Sequence, residues 1–208
     1  MTVGPGNSAP ENPEFATVVQ RAGAIAAWRF ADEAHAGQLR KANQAPYIHH
    51  PERVAQLTAE HGGDEAMVAA ALLHDVLEDS PVEAEQLREP FGEDVTGLVV
   101  ALSDDRAIDD YERRKAALRE QVREAGRRAA LIYACDKLAN CQDARSAFSE
   151  IGADGLAERL GITLDLRVRI WRDDLAMCAD LLGEHELVAA LAAELDGFER
   201  DCADAAGR

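Results

Sequence analysis

Residues 66–80 read AMVAAALLHDVLEDS, and this stretch decides the fold. Its first eight residues are apolar around the full circumference of a helix, with no strand-like alternation, so the segment belongs at the centre of a helical bundle. Gly62-Gly63 ends whatever precedes it, and Asp64 stands where an N-cap is wanted. Into this greasy segment are written His74, Asp75, Glu78 and Asp79. Residues three and four apart share a helix face, so His74 with Glu78, Asp75 with Glu78 and Asp75 with Asp79 converge on one side. Carboxylates gathered there repel one another and are costly to desolvate without a cation. A solvated last turn accounts for Glu78 and Asp79. It accounts poorly for His74-Asp75, which follow AAALL without a break.

Working outward, apolar residues recur at helical spacing over 15–36, and Pro51 sits where a helix starts and tolerates proline, at its first position. Further helices are expected at about 93–103, 111–125, 127–147, 164–182 and 186–200, broken at Gly92, Ser103–Asp110, Gly126, Gly152–Gly155 and Gly183. Ser80-Pro81-Val82-Glu83 looks like a capping box with Ser80 as the cap. The reading is all-α: one bundle of about eight to ten helices over residues 15–203, after a flexible Gly/Pro/Asn-rich leader at 1–14. Hydrophobic residues at 47% with only 5% aromatics agree with packed helices. A net charge of −17 argues against nucleic acid as a partner. No apolar run approaches the ~18 residues of a membrane span, and the N-terminus lacks a signal peptide's basic start and apolar core, so a cytoplasmic location is expected. Three of the four cysteines fall in apolar helical patterns and are expected as buried thiols.

Asp136 repeats the argument of Asp75. It lies in AALIYACDKLANC, residues 129–141, on a helix expected to be mostly buried. A buried aspartate is paired, for instance with Arg128 or Lys137, or it binds metal. His50 precedes Pro51, with His49 beside it as a competing choice. Two imidazoles and two carboxylates form a mixed nitrogen/oxygen set suited to Mn²⁺, Fe²⁺ or Zn²⁺, with positions left open for water and substrate.

Five segments occur in order: AHAGQLRK (34–41), APYIHHP (45–51), AALLHDVLEDS (70–80), FGEDVTGLV (91–99) and CDKLANCQD (135–143). With them the chain resembles the HD-domain superfamily, and within it the hydrolase domain of RelA/SpoT-type alarmone enzymes, especially the small hydrolase-only members. The resemblance implies metal ligands His50, His74, Asp75 and Asp136, His50 being preferred over His49 because it directly precedes the proline. It implies one Mn²⁺, with Fe²⁺ or Zn²⁺ as alternatives, and a catalytic pair Glu78 and Asp79 that orients or deprotonates the attacking water. Arg40 and Lys41 would hold phosphate oxygens. Tyr47 and Asn140 match positions near the nucleotide or the ligand shell. The substrate implied is guanosine tetra- or pentaphosphate, cleaved to GDP or GTP and pyrophosphate. His35 is expected to make a structural hydrogen bond under the loop, and Trp171 to pack in the core rather than meet the base. Arg113-Arg114-Lys115 reach either the far diphosphate or solvent. Two rivals stand beside this reading: an HD phosphohydrolase of another nucleotide, and a non-catalytic nucleotide-binding module. Homo-oligomerisation is left open.

Overall fold

The computed structural model describes residues 10, 13–21 and 24–206. Ten helices follow one another: α1 (Pro13–Arg21), α2 (Ile25–Ala34), α3 (His49–Glu60), α4 (Glu65–Leu73), α5 (Val76–Asp79), α6 (Ala84–Leu102), α7 (Tyr111–Ala125), α8 (Arg127–Leu160), α9 (Leu164–Leu182) and α10 (Glu186–Ala206). No strand forms among the described residues; the loop 35–48 is pinned by an isolated antiparallel bridge between Leu39 and Pro46. The leader expected over 1–14 lies largely outside the described residues. Among the described residues no helix is long and apolar enough to cross a membrane.

The apolar stretch behaves as its composition demands. In α4, Val68, Ala70, Ala71, Leu72 and Leu73 are all buried, and Asp64 caps the helix by accepting from the Met67 amide at 2.9 Å. α2, α3 and α6 flank α4, and α8 crosses beside both α3 and α4, so the central helix is sheathed by four others. A second cluster, built on Trp171, Leu156, Leu195 and Phe198, lies where α8, α9 and α10 meet. Trp171 therefore packs in a core as expected. Cys135, Cys141 and Cys178 are buried free thiols.

Five local expectations need correction. The single helix expected over 15–36 is two, α1 and α2. The stretch 64–79 is also interrupted, at His74-Asp75, although both residues keep right-handed helical angles. Ser80 does not cap the following helix. Its hydroxyl donates back to the Val76 carbonyl at 2.7 Å and so finishes α5, while Glu83 caps α6 in a capping box with Gln86. A helical segment over 84–91 precedes the one expected from 93, and the two meet at Gly92, where φ of 77° and ψ of 171° break the helix as expected and favour glycine. Likewise α8 continues beyond the expected 147 to the break expected at Gly152, whose φ of 69° and ψ of −178° are not helical, and a further segment runs on to Leu160.

Candidate metal centre and active site

Four side chains meet where α3, the α4–α5 junction and α8 converge. The start of α3 turns His50 inward, 3% exposed, into this cluster and leaves His49 in solvent. Pro51 is the third residue of α3 rather than its first, still within the turn whose amides need no helical partner. From α8, Asp136 presents Oδ1 3.0 Å from His50 Nε2 and 3.7 Å from His74 Nε2. Asp75 brings Oδ1 to 3.2 Å from His74 Nε2 and Oδ2 to 3.7 Å from His50 Nε2. The ligand-capable atoms of His50, His74 and Asp136 all lie within 4.8 Å of one another.

A cation fits this arrangement on the chemistry of His74. Its Nδ1 lies 2.7 Å from the Ala71 carbonyl and donates to it, which fixes the ring orientation and turns Nε2 inward. That buried Nε2 makes no hydrogen bond, though carboxylate oxygens surround it. A bare lone pair facing two carboxylates is repulsive unless a proton or a metal ion lies between them. In the absence of metal the proton takes the place: burial opposes the charged ring, but Asp75 and Asp136 outweigh it and hold His74 up at about 9. Burial and the Arg40 charge push His50 the other way, below its ordinary value. Although burial works against both carboxylates, His74 and His50 hold Asp75 low, and Lys137 with the two imidazoles holds Asp136 well below the usual range.

Glu78 and Asp79 stand beside this cluster in different surroundings. Burial, then the Asp75 charge, pushes Glu78 up to about 7, and its Oε1 accepts from the Asp104 amide at 2.7 Å. Asp79 is more exposed and meets the Arg106 guanidinium at 3.3 Å. The Tyr47 hydroxyl lies 2.7 Å from Asp75 Oδ2 and 2.6 Å from Asp79 Oδ2, so one proton serves two carboxylates in turn. Tyr47 stacks on His35, whose Nδ1 is 2.9 Å from Gln38 Oε1, the structural role expected of it.

The cluster forms one wall of a cavity of about 720 Å³. Arg40 lies on the rim, donating to Asn140 Oδ1 at 2.6 Å and pairing with Asp143 at 3.3 Å; Lys41 lines the same side and is exposed. Asn140 in turn donates to Asp136 Oδ1. Arg114, Lys115 and Arg167 line the same cavity, with Asp104 holding Lys115 at 2.6 Å. The basic triplet of the sequence thus divides: Arg114 and Lys115 line the cavity, and Arg113 is exposed away from it.

With this geometry the comparison with known proteins is direct: the model of the HD domain matches residues 27–162. The chain belongs to the HD-domain family. Every ligand and catalytic candidate named above falls inside the matched segment of the HD domain, whereas Arg167 and Trp171 lie beyond it. The guanosine-3′,5′-bis(diphosphate) 3′-pyrophosphohydrolase MESH1 of Xenopus tropicalis is 36% identical over 129 residues, 61% of this chain and 72% of that protein. A probable enzyme of the same name from Synechocystis is 51% identical over 73 residues, 35% of this chain but only 10% of that much longer protein. Among solved structures, a metazoan orthologue of SpoT that hydrolyses ppGpp superposes with a TM-score of 0.60 at 26% identity, covering 93% of this chain and 97% of that one.

Sequence reasoning passed over three residues around this site. Asp104 lay in an acidic stretch read only as a helix break, yet its amide holds Glu78 and its carboxylate holds Lys115. Arg167 was hidden in an amphipathic helix. Lys137 was weighed only as an alternative to metal, and the structure places it on Asp136 together with the histidines. The signal for all three is contact between distant segments, which no local spacing carries.

Proposed function

We propose that this chain is a metal-dependent guanosine-3′,5′-bis(diphosphate) 3′-pyrophosphohydrolase, with residues 15–203 as its catalytic unit and the cytoplasm as its location. One observation carries the reading. Buried His50, His74 and Asp136 and half-buried Asp75 surround a position that demands positive charge, in the wall of a cavity that several cationic side chains also line, in a chain of net charge −17. The names of the relatives point to the same substrate.

His50, His74, Asp75 and Asp136 would hold one divalent ion, Mn²⁺ by preference over Fe²⁺ or Zn²⁺. When bound, the ion supplies Lewis acidity that makes water more acidic and polarises the phosphoryl group. Glu78 accepts the proton of the attacking water; an affinity near neutrality suits a group that must take up and release protons at working pH. Asp79, steadied by Tyr47, orients that water. Arg40 grips phosphate oxygens bidentately once it exchanges its contacts with Asn140 and Asp143, and Lys41 adds a point charge beside it. Arg114, Lys115 and Arg167 face the other diphosphate in the same cavity. Water adds to the 3′ phosphorus, the bond from that phosphorus to the ribose oxygen breaks, and the ribose hydroxyl leaves with a proton. Pyrophosphate and GDP or GTP result.

The test is incubation of purified protein with ppGpp and Mn²⁺, with chromatographic separation of products. GDP and pyrophosphate in equal amounts are expected. Orthophosphate released from other nucleotides instead would favour a different HD phosphohydrolase, and tight ppGpp binding without turnover would favour a binding module.

A further inference from the structure

Asp136 and Lys137 are neighbours on α8, and successive helical side chains diverge by about 100° around the axis. Lys137 therefore has to fold back to meet the carboxylate next to it, and it does: Nζ lies 2.6 Å from Asp136 Oδ2. The lysine is 8% exposed, and its ammonium sits 4.2 Å from the ring centre of Tyr133, one turn earlier. The Tyr133 hydroxyl donates to Asp174 Oδ1 at 2.9 Å, and Arg119 reaches the same oxygen at 3.0 Å from α7. Opposite charges thus alternate from Asp136 through Lys137 and Asp174 to Arg119, away from the site and into the packing of α7, α8 and α9. A buried ion pair of this kind is a poor way to add stability, since apolar side chains of the same volume do as well. Its effect on Asp136 is specific. With Oδ2 engaged by Lys137, only Oδ1 is directed at His50 and His74.

We propose that Lys137 is a positioning residue: by holding Oδ2 it makes Asp136 a one-oxygen metal ligand, with Tyr133 and Asp174 fixing where the ammonium stands. This rests on the metal reading above, and the sign of one measurement separates it from a purely electrostatic role. As a mere positive charge near a divalent ion, Lys137 repels it, and removing the lysine would strengthen binding. As the group that orients Asp136, its removal weakens binding, by about 10- to 100-fold for a lost outer partner of a metal ligand.

Mn²⁺ affinity of the full chain, measured by calorimetry, is compared for the wild type, Lys137→Met and Lys137→Arg, with Co²⁺ absorption as a probe of coordination and melting in EDTA as a control for folding. Weaker Mn²⁺ binding by Lys137→Met is expected, with a fainter Co²⁺ band as Oδ2 joins the coordination, and recovery of both in Lys137→Arg. Unchanged or tighter binding by a folded Lys137→Met overturns the proposal. Should that variant not fold, Tyr133→Phe carries the test, because it keeps the ring and releases the ammonium's support through Asp174. A smaller loss of affinity is expected there, and an unaltered affinity and Co²⁺ spectrum overturn the proposal equally. A wild type that binds neither ion defeats the metal reading itself, an outcome distinct from a variant that binds as well as the wild type.

Discussion

Replacing Glu78 with glutamine should make the metal-free protein more stable above neutral pH while removing its turnover. Burial and the Asp75 charge move this carboxyl from 4.5 to about 7, which at about 1.4 kcal/mol per pH unit corresponds to at most about 3.5 kcal/mol. The sign follows from which state binds the proton more tightly. Below pH ~4 the carboxyl is protonated in folded and unfolded chains alike and contributes no pH dependence. As pH rises from 4.5 towards 7, the unfolded chain releases its proton first and gains stability over the folded one. Above 7 the folded protein carries a buried carboxylate and the difference levels off. Glutamine has no proton to lose and can still accept from the Asp104 amide, so the contact at 2.7 Å survives. Urea unfolding of both proteins in EDTA, from about pH 4 to pH 8, gives the difference directly, since all other titrating groups are common to both. The advantage of Glu78→Gln should be negligible at the acid end and approach its ceiling at the alkaline end. A difference that does not vary with pH, or a glutamine variant less stable at pH 8, would refute the reasoning.

Asp136→Ala should lose bound metal, by elemental analysis, and also about 3–5 kcal/mol of folding stability in urea, because it leaves the Lys137 ammonium buried without its partner. Asp75→Ala should likewise lose metal and turnover, and metal retained at wild-type stoichiometry would remove Asp75 from the ligand set. Since His74 holds a proton up to about 9 in the metal-free state, metal binding at pH 8 should release close to one proton; calorimetry in two buffers of different ionisation enthalpy measures it. Saturation at 100 times the dissociation constant should add about 2.7 kcal/mol to stability, and EDTA should reverse it. Arg167 has a buried Nε without a hydrogen-bond partner, facing the cavity, so Arg167→Ala should raise KM for ppGpp at least as much as it lowers kcat, with melting unchanged. A drop in kcat alone would place the residue elsewhere in the mechanism.

What could be read from the sequence was governed by burial. The helix of residues 66–73 was legible because apolar residues on all its faces leave it one place to go. The gathering of His50, His74, Asp75 and Asp136 was foreseen because charge inside an apolar pattern needs an opposite charge, even when the partner lies 62 residues away in sequence, as Asp136 does from His74. Helix ends were poorly legible. Ser80 and Glu83 satisfied the local rule for a capping box, but the serine hydroxyl was taken by the preceding helix and the cap moved three residues on. Gly92 and Gly152 read as breaks and the backbone does leave helical angles at both; what local spacing missed are the helical segments on their other sides, over 84–91 and 153–160.

The same principle explains why the polar half of the site escaped notice. Lys137, Asp104 and Arg167 are individually ordinary: a lysine, an aspartate in an acidic loop and an arginine on an amphipathic helix. Each acquires meaning from a charge brought beside it by the fold, Asp136 for the first, Glu78 and Lys115 for the second, and the open cavity for the third. In a chain so strongly acidic, the cavity is a place where cationic side chains gather: Arg40, Lys41, Arg114, Lys115 and Arg167 all line it, three of them held by carboxylates that a phosphate can replace. That concentration lets an anionic substrate approach a protein whose overall field repels it.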